Sequence, residues 1–462
     1  MKPVLLIDFG STYTKVTAVD LEEERLLGTA ASYTTVETDI GEGLKNALEE
    51  LEAKTGPLDY IERYACSSAA GGLRMVTSGL VPELTAQAAK LASLGAGAKV
   101  VGVYSFELTE DDVTDILAAK PDIFLLVGGT DGGNSACILH NAQMLAKTSC
   151  PFPIVIAGNR SAGRQCMRIL EGKETYLCEN VMPKFGVLNI EPTQKQIREL
   201  FLQRIVKAKG LSKAAALISG ILMPTPSAVM KAMQLLADGC EGELGIGELV
   251  AVDVGGATTD VYSAASGAPT RGNTVCKGLP EPYLKRTVEG DIGMRYSVMG
   301  IVEAAGLERV AELSQISVER AQELVQYLAN HTDVIPDGAE LERLDFALAS
   351  SAIEVAMTRH AGKVEETYTM MGLTYLQTGK DLTQVKQMIV TGGSLIHTQK
   401  TAKIAAHGFY NNLNPMSLKP KNAAIWVDRS YILAAMGLLS EHYPQTALRI
   451  MKKELQQDGD SK

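Results

Sequence analysis

The feature that most constrains this chain is a pattern of aspartate, glycine and hydroxyl residues that occurs twice, about half the chain apart. Residues 4–16 read VLLIDFGSTYTKV and residues 249–261 read LVAVDVGGATTDV. Aligning the two segments gives four pairs of identical residues: Asp8 with Asp253, Gly10 with Gly255, Thr14 with Thr259 and Val16 with Val261. In both segments an apolar strand reaches an aspartate, a glycine turn follows, and a second strand begins. The repeat predicts two related lobes.

A second pair of similar segments occurs in the same order. Residues 125–130 read LLVGGT and residues 389–394 read IVTGGS, and each is an apolar strand that ends at two glycines. We therefore interpret four glycines as the first-lobe counterpart of the later turn, shaping a cleft floor or an interface: Gly128, Gly129, Gly132 and Gly133. The alternation of short apolar runs with amphipathic stretches is typical of an α/β protein.

Local patterns predict several elements and the limits of the lobes. Strands are predicted at Val4–Ile7, Val100–Tyr104, Ile123–Val127, Ile154–Ala157, Leu249–Val254 and Met388–Thr391. Capping boxes are predicted at Thr109 with Asp112 and at Thr193 with Gln196. The boundary between the lobes is expected in the glycine-rich acidic segment 238–248. The chain then divides into an N-terminal lobe with a helical insertion, a C-terminal lobe with another, and a tail: residues 1–245, 246–445 and 446–462.

The glycine turns have the chemistry of phosphate binding. Glycine allows the backbone to approach a phosphate closely, and successive N–H groups in a turn form an anion-binding concavity. The first turn would supply Gly10, Ser11 and Thr12, with Lys15 as a point charge. The second turn would supply Gly255, Gly256, Ala257 and Thr258.

The two aspartates need a cation if they lie beside phosphates, because bare carboxylates would repel them. Mg²⁺ is typically held by one or two carboxylates together with phosphate oxygens and water. We therefore expect Asp8 and Asp253 to bind magnesium, and one of them to orient the attacking water or nucleophile. A single turn of this kind also fits a tight hairpin with an incidental carboxylate. The repeat favours nucleotide binding over that alternative.

Three motifs resemble those of the ATPase superfamily that contains actin, Hsp70 and the sugar kinases. IDFGSTYTK is similar to its first phosphate motif, VDVGGATTDV to its second, and VTGGS to its adenosine motif. The resemblance implies two ribonuclease-H-like lobes with an interlobe nucleotide cleft, ATP and Mg²⁺ as cofactors, and an adenosine contact at Gly392, Gly393 and Ser394. It also implies a second interlobe helix at residues 431–439. No P-loop sequence occurs.

Longer segments resemble a narrower group, the glutamate mutase accessory protein L (MutL) family. They are LLVGGTDGG at 125–133, AGNRSAG at 157–163, ENVMPKFGVLNIEPTQKQIRELF at 179–201 and PEPYLKRTVEGDIGMR at 280–295. The resemblance implies an ATP-driven accessory or reactivating factor, chaperone-like in action, whose partner is an adenosylcobalamin-dependent mutase such as glutamate mutase or an aminomutase. No D-x-H-x-x-G cobalamin motif occurs, so the chain is not expected to be the cobalamin subunit.

The charged residues of the last segment have two interpretations. In the first, they line the cleft and contact phosphate or a partner. In the second, they form ordinary surface pairs at the start of a solvated helix. The residues are Lys285, Arg286, Glu289, Asp291 and Arg295.

Composition excludes several function classes. The formal net charge of −10 argues against broad nucleic-acid binding, which needs a basic surface. No apolar stretch is long enough to span a membrane, and Asp8 interrupts the N-terminal apolar run too early for a signal peptide. A cytoplasmic protein is expected, and a homodimer is compatible with the sequence. The seven cysteines form no C-x-x-C pair, which favours free thiols over a bridged iron–sulfur cluster.

Other functions on the same fold stay open at the level of sequence. One is a small-molecule kinase or a hydantoinase-type ATP-dependent activating subunit, whose second phosphate motif is similar to VDVGGATTDV. Others are an actin-type filament or scaffold and an iron–sulfur ATPase that donates electrons.

Overall fold

The computed structural model describes residues 1–10, 13–33, 40–68, 73–208, 221–370 and 372–457. The chain divides into two units. Unit 1 comprises Met1–Ala232, Gly278–Pro280 and Leu433–Ile450, and unit 2 comprises Met233–Lys277, Glu281–Ile432 and Met451–Lys462. The boundary expected between residues 245 and 246 remains a prediction about separate folding domains. Within the described ranges, no helix is both long and apolar enough to cross a membrane.

The strands are numbered along the chain. They are β1 (Pro3–Phe9), β2 (Tyr13–Asp20), β3 (Arg25–Tyr33), β4 (Glu62–Ser67), β5 (Arg74–Gly79), β6 (Lys99–Ser105), β7 (Ile123–Leu126), β8 (Ile154–Ile156), β9 (Thr175–Leu177), β10 (Ile221–Pro224), β11 (Gly239–Cys240), β12 (Glu243–Leu244), β13 (Leu249–Val254), β14 (Thr259–Ala264), β15 (Thr274–Lys277), β16 (Leu284–Glu289), β17 (Lys363–Thr369), β18 (Gly372–Thr378), β19 (Gln387–Thr391), β20 (Ala424–Val427) and β21 (Gln456–Gln457).

The α-helices are numbered in the same way. They are α1 (Ile40–Thr55), α2 (Gln87–Gly95), α3 (Glu110–Ala118), α4 (Ala136–Ala146), α5 (Arg160–Ile169), α6 (Glu191–Ala208), α7 (Thr225–Asp238), α8 (Val298–Ala305), α9 (Leu307–Ser314), α10 (Val318–Asn330), α11 (Ala339–His360), α12 (Gly393–Ile396), α13 (Thr401–Ala405), α14 (Leu433–Leu439) and α15 (Pro444–Glu454). The segment expected to be a tail therefore begins inside α15, which buries Ala447, Leu448 and Ile450.

The central sheet of unit 1 has the strand order β10-β4-β1-β2-β3. Strands β1, β2 and β3 are antiparallel neighbours, whereas β4 and β10 run parallel to β1. Every residue of β1 is buried, because helices or other segments of the same chain cover both faces of this apolar strand. Helix α14 packs against β1 and β4, and its Gly437 lies so close to α7 that a Cβ there would be 1.8 Å from the Ala228 carbonyl oxygen.

Unit 2 contains a sheet with the same pattern, in the order β16-β14-β13-β19-β20-β21. Here β13, β14 and β16 are antiparallel neighbours, and β19 and β20 run parallel to β13. Strands β16, β14, β13, β19 and β20 thus correspond to β3, β2, β1, β4 and β10. The predicted α/β fold with two ribonuclease-H-like sheets is confirmed by this repeated topology.

The topology corrects the second sequence match. The counterpart of β19, which carries IVTGGS, is β4, because each is the parallel neighbour of the strand that bears the repeated aspartate. The LLVGGT segment instead forms β7 in a separate parallel sheet of unit 1, with the order β6-β5-β7-β8-β9. Residues Gly128, Gly129, Gly132 and Gly133 are therefore not the counterpart of the turn at Gly392.

The separate parallel sheet is doubly wound. Leu125 of β7 packs in a cluster with residues of α2 and α6, and its neighbour Leu126 packs with residues of α3, α4 and α5. Counted from β5, the strand order is 2-1-3-4-5, the flavodoxin-like order of doubly wound sheets. The glycines after β7 shape a loop at the carboxyl edge of this sheet, where a Cβ on Gly158 would be 2.7 Å from the Gly128 nitrogen.

Some of the local predictions are confirmed and others are wrong. All six predicted strands are present, as β1, β6, β7, β8, β13 and β19. The capping box at Thr109 is confirmed, because its hydroxyl accepts from the Asp112 N–H and Asp112 accepts from the Thr109 N–H. The box at Thr193 is wrong, since α6 begins at Glu191 and places Thr193 inside its first turns. The alternative interpretation of residues 285–295 as the start of a solvated helix is also wrong, because residues 284–289 form β16 and the next helix, α8, begins at Val298.

Candidate functional site

The first glycine turn joins β1 to β2, and a short backbone contact holds it. The Gly10 N–H donates to the Tyr13 carbonyl at 3.0 Å. A Cβ built on Gly10 would lie 2.5 Å from the same oxygen, so no larger residue fits without moving the turn. Two residues predicted for this site, Ser11 and Thr12, lie outside the described residues.

Asp8 lies at the end of β1 among groups that sequence analysis did not assign to it. Its side chain is buried, and its Oδ1 accepts a hydrogen bond of 2.5 Å from the Thr225 hydroxyl. The Cys66 thiol lies 3.5 Å from the same oxygen, and burial, reinforced by the charge of Asp8, raises the pKa of Cys66 well above its usual value. The thiol therefore stays protonated and donates to the carboxylate, as the hydroxyl does.

Lys15 is the cross-strand partner of Asp8 in the β1–β2 pairing. Directly opposite residues of an antiparallel pair project from the same face, so the ammonium and the carboxylate share a side of the sheet. The charge of Lys15 is also felt at Cys66, whose pKa it lowers, though less than burial raises it. The lysine thus supplies positive charge next to the predicted phosphate turn.

The second glycine turn, between β13 and β14, repeats the geometry of the first. The Gly255 N–H donates to the Thr258 carbonyl at 2.9 Å, and a Cβ on Gly255 would lie 2.9 Å from that oxygen. Thr14 and Thr259, which follow the two turns, are both fully buried. The repeat found in the sequence is therefore a repeat of backbone structure.

Asp253 faces a second carboxylate where Asp8 faces a lysine. Its direct partner across the β13–β14 pairing is Asp260, whose Oδ1 accepts from Arg286 Nε at 2.9 Å and lies 2.7 Å from Nη2. Arg286 is only 6% exposed; burial alone would lower its pKa, but Asp260 and Tyr262 together outweigh burial and the pKa is raised. Arg286 thus neutralises Asp260. A cation beside Asp253 would relieve the remaining repulsion between the two carboxylates.

The predicted adenosine turn follows β19, which runs parallel to β13 and pairs Thr391 with Asp253. Gly392 has φ +109°, a conformation that other residues rarely adopt, and its hypothetical Cβ would be 2.2 Å from the Val254 carbonyl oxygen. The second glycine turn and the predicted adenosine turn are therefore adjacent in unit 2. Gly393 and Ser394 begin the short helix α12.

Residues 292–296 pack against the second glycine turn and hydrogen-bond to its backbone. The Met294 N–H donates to the Gly255 carbonyl at 3.0 Å, and the Arg295 and Tyr296 N–H groups donate to the Gly256 carbonyl at 2.8 and 2.9 Å. A Cβ on Gly293 would lie 2.3 Å from the carbonyl carbon of Ala257, so glycine is required there as well. This support is not among the sequence predictions, although the glycines of the GDIG run are its signal.

The charged residues of that same segment form ion pairs within unit 2. Lys285 pairs with Glu281 at 2.8 Å, Arg286 with Asp260 at 2.7 Å, Arg295 with Asp345 at 3.0 Å, and Arg359 with both Glu289 at 2.7 Å and Asp291 at 3.0 Å. The pairs of Lys285, Arg286 and Arg295 are largely buried, unlike ordinary surface pairs. Their contacts belong to the framework of the turn.

Metal binding by protein groups alone has no candidate in the described ranges, where no group of three or more His, Cys, Asp or Glu side chains could hold an ion. Magnesium does not need such a cage, because it retains water and takes phosphate oxygens as ligands. Asp8 and Asp253 each offer a carboxylate next to a phosphate-type turn, which is the donor set that Mg²⁺ uses with a bound phosphate.

Comparison with known proteins gives a family and several distant folds. The family model described as "MutL protein" matches residues 4–455. Protein MutL of Clostridium tetanomorphum is 47% identical over 459 residues, which cover 98% of this chain and 99% of the relative.

Among solved structures, the activator of the 2-hydroxyisocaproyl-CoA dehydratase from Clostridium difficile, with bound ADPNP, aligns with 98% of this chain and 97% of its own at 10% identity and a TM-score of 0.31. A ligand-bound xylulose kinase from Lactobacillus acidophilus aligns with 99% of this chain and 93% of its own at 11% identity and a TM-score of 0.37.

Proposed function

Because the chain belongs to the MutL protein family, as its sequence resemblance predicted, we propose that it is a magnesium-dependent ATPase that assists an adenosylcobalamin-dependent mutase. The observation that carries the ATPase part is the repeated turn. An aspartate, a tight glycine turn and a buried threonine occupy the same place in two sheets of the same strand order. The mutase part rests on the family resemblance.

The phosphate groups of ATP fit the glycine turns. At Gly10 and Gly255 the backbone carries no side chain that could block an approaching phosphate, and a Cβ would collide with the turn itself. The N–H groups of such turns attract anions. We assign phosphate contacts to both turns, with Lys15 adding a point charge at the first and Thr258 a hydroxyl at the second.

The magnesium ion would be held by Asp8 and Asp253 beside these turns. When bound with ATP, it neutralises charge on the phosphate oxygens. At Asp8, the hydrogen bonds from Thr225 and Cys66 to Oδ1 fix the orientation of the carboxylate. A carboxylate held in this way is suited to binding a cation or orienting a water molecule. We assign adenosine contacts to Gly392, Gly393 and Ser394.

The partner is proposed to be an adenosylcobalamin-dependent mutase in the cytoplasm, such as glutamate mutase or an aminomutase, which the ATPase reactivates. A homodimer of this chain is compatible with that role. The product of turnover separates this proposal from a small-molecule kinase on the same fold, since a kinase yields a phosphorylated metabolite and an accessory ATPase yields free phosphate.

The deciding experiment combines binding with recovery of activity. The purified protein is mixed with glutamate mutase or with an ornithine or lysine aminomutase that has been inactivated by turnover. We expect co-purification and a return of mutase activity that requires ATP and magnesium, and no recovery with the Asp253→Asn variant. Free phosphate, without a phosphorylated metabolite, should accumulate. The absence of both binding and recovery across all three mutases would overturn the accessory role.

A further inference from the structure

Three polar side chains of unit 2 form a hydrogen-bonded chain that ends at the second glycine turn. Two nitrogens of the Arg286 guanidinium contact Asp260 Oδ1, Nε at 2.9 Å and Nη2 at 2.7 Å. The other oxygen of the same carboxylate, Oδ2, accepts a hydrogen bond of 3.4 Å from the Thr258 hydroxyl. Asp260 therefore divides its two oxygens between a buried arginine and a residue of the turn.

The arginine end of this chain is fixed by its surroundings. Arg286 lies in β16 and is the direct partner of Tyr262 across the β14–β16 pairing. Its Cζ stands 5.9 Å from the centroid of the Tyr262 ring, and both residues are buried. A planar guanidinium that is packed against a ring loses little freedom when it holds a carboxylate. Arg286 therefore gives Asp260 a fixed orientation.

The first glycine turn is built differently at the corresponding positions. Alignment of the two repeats places Tyr13 and Lys15 where the second turn has Thr258 and Asp260. In the sheet of unit 1, Thr29 stands at the place that Arg286 occupies in unit 2, as the pairing of β2 with β3 shows. The carboxylate, the arginine and the threonine thus occur together at the second turn, which indicates a task that belongs to that turn.

The direction of these hydrogen bonds determines what the Thr258 hydroxyl offers to a ligand. A carboxylate that is paired with arginine only accepts, so the hydroxyl donates its one proton to Asp260. Its oxygen then has lone pairs for a cation or a water molecule, but no proton for a phosphate oxygen. Thr258 is half-buried and follows the exposed residues Gly256 and Ala257, so a ligand has access to this part of the turn.

We propose that Asp260 and Arg286 are positioning residues that keep the Thr258 hydroxyl oxygen available to the magnesium ion or to one of its water molecules. The inference rests on the proposed function and refines it. The backbone of the turn serves the phosphates, whereas the Thr258 side chain serves the cation. Magnesium takes oxygen ligands and retains water, and a neutral hydroxyl adds an oxygen without adding charge beside the neighbouring carboxylates.

Calorimetry of ADP binding, in EDTA and in excess magnesium, separates the two possible roles of the hydroxyl. We expect Thr258→Val to lower the ADP affinity by roughly fivefold in magnesium and to leave it unchanged in EDTA. Thr258→Ser should bind as the unaltered protein does. Thr270→Val is the matched control, because that hydroxyl also donates to a carboxylate, Asp381 Oδ2 at 2.7 Å, and follows the far end of β14. Equal losses in both conditions would make the hydroxyl a phosphate donor and overturn the assignment.

A double-mutant cycle tests whether Asp260 acts through Thr258. We expect Asp260→Asn to cause the same loss in magnesium as Thr258→Val, and the double variant to be no weaker than either single variant. Arg286→Lys should lose less than Asp260→Asn, because lysine keeps a positive charge toward the carboxylate. Additive losses would overturn the positioning role, and this cycle decides if binding in EDTA is too weak to measure.

The same measurements distinguish failure of this assignment from failure of the proposed function. If the unaltered protein binds ADP in neither condition, the nucleotide site itself is wrong, and the role of Thr258 falls with it. If ADP binds in magnesium and Thr258→Val does not weaken it, the nucleotide site stands and the role of Thr258 alone is wrong.

Discussion

Gly392 lies directly against the carbonyl group of Val254, the last residue of β13. A Cβ at Gly392 would stand 2.2 Å from that oxygen, and the backbone there has φ +109°. The parallel pairing of β13 with β19 brings the two strand ends to one edge of the sheet, and the glycine lets the chain turn there without collision. The adjacency of the turn after β13 and the turn after β19 depends on this contact.

Replacing this glycine should be far more damaging than replacing one with a similar φ in open space. Gly247, also in unit 2, has φ +87° and no atom within 4 Å of a built Cβ. We expect Gly247→Ala to lower the free energy of unfolding by about 1–2 kcal/mol through backbone strain alone. Gly392→Ala should cost roughly 3 kcal/mol or more, because the β13–β19 edge must also move. Urea denaturation of both variants measures the difference, and equal midpoints would mean that the Val254 contact yields easily.

Part of this site could be predicted from the sequence because its geometry is local. The tight turns at Gly10 and Gly255 follow from an aspartate and a glycine placed between two apolar strands, and the structure gives both the same backbone contact. The cluster around Asp8 could not be predicted in this way. Cys66 and Thr225 lie 58 and 217 residues further along the chain, and only the β10-β4-β1 pairing brings them together.

The wrong assignment of the LLVGGT segment shows what local sequence similarity does not determine. An apolar strand followed by two glycines is required wherever a parallel strand ends under a closely packed loop, whichever sheet it belongs to. At Gly128 the neighbour is Ile138 of α4 in the doubly wound sheet, whereas at Gly392 it is Val254 of the ribonuclease-H-like sheet. The two sequences are similar because both positions leave too little space for a side chain. Strand pairing, which the local sequence does not specify, distinguishes the two.

The two aspartates should each be required for magnesium-dependent ATP hydrolysis. Asp8→Asn and Asp253→Asn keep the side-chain volume but remove the charge that a cation needs. We expect either substitution to reduce the rate by about 100-fold or more, with the loss partly offset at high magnesium concentration. Asp333→Asn, at an exposed position, serves as the control. Release of inorganic phosphate is the measurement, and unchanged rates in both variants would remove these residues from the site.

The Thr225 hydroxyl should matter through its hydrogen bond to Asp8. Thr225→Val has nearly the same shape but leaves Oδ1 with the Cys66 thiol as its remaining donor among the contacts described. We expect hydrolysis to fall by about tenfold, in line with the loss of one hydrogen bond to a charged group. Thr225→Ser should restore most of the rate, because it keeps the hydroxyl and loses only a methyl group. If the serine variant is as impaired as the valine variant, keeping the hydroxyl does not restore the rate, and the hydrogen bond to Asp8 does not explain the loss.

A buried lysine should give unit 2 a pH-dependent stability. Lys380 is fully buried, and its Nζ donates to the Ser263 hydroxyl at 3.2 Å and to the Tyr283 carbonyl at 2.6 Å. Burial, with Lys285 nearby, lowers the pKa of Lys380 from 10.5 to about 7, although Glu281 and Glu248 oppose the shift. His360, which also contacts Ser263, is held neutral because burial lowers its pKa well below the usual value.

The sign of the effect follows from where the proton is bound. Between about pH 7 and the ordinary lysine pKa of 10.5, the unfolded chain carries a proton at Lys380 that the folded chain lacks. Relative to Lys380→Met, the free energy of unfolding should therefore rise with pH by about 1.4 kcal/mol per unit in this window and stay level below it. Denaturation of both proteins at about pH 7, 8 and 9 measures the slope, with Lys45→Met, whose side chain is 75% exposed, as the flat control. A level difference throughout would mean that Glu281 and Glu248 keep Lys380 charged inside the fold.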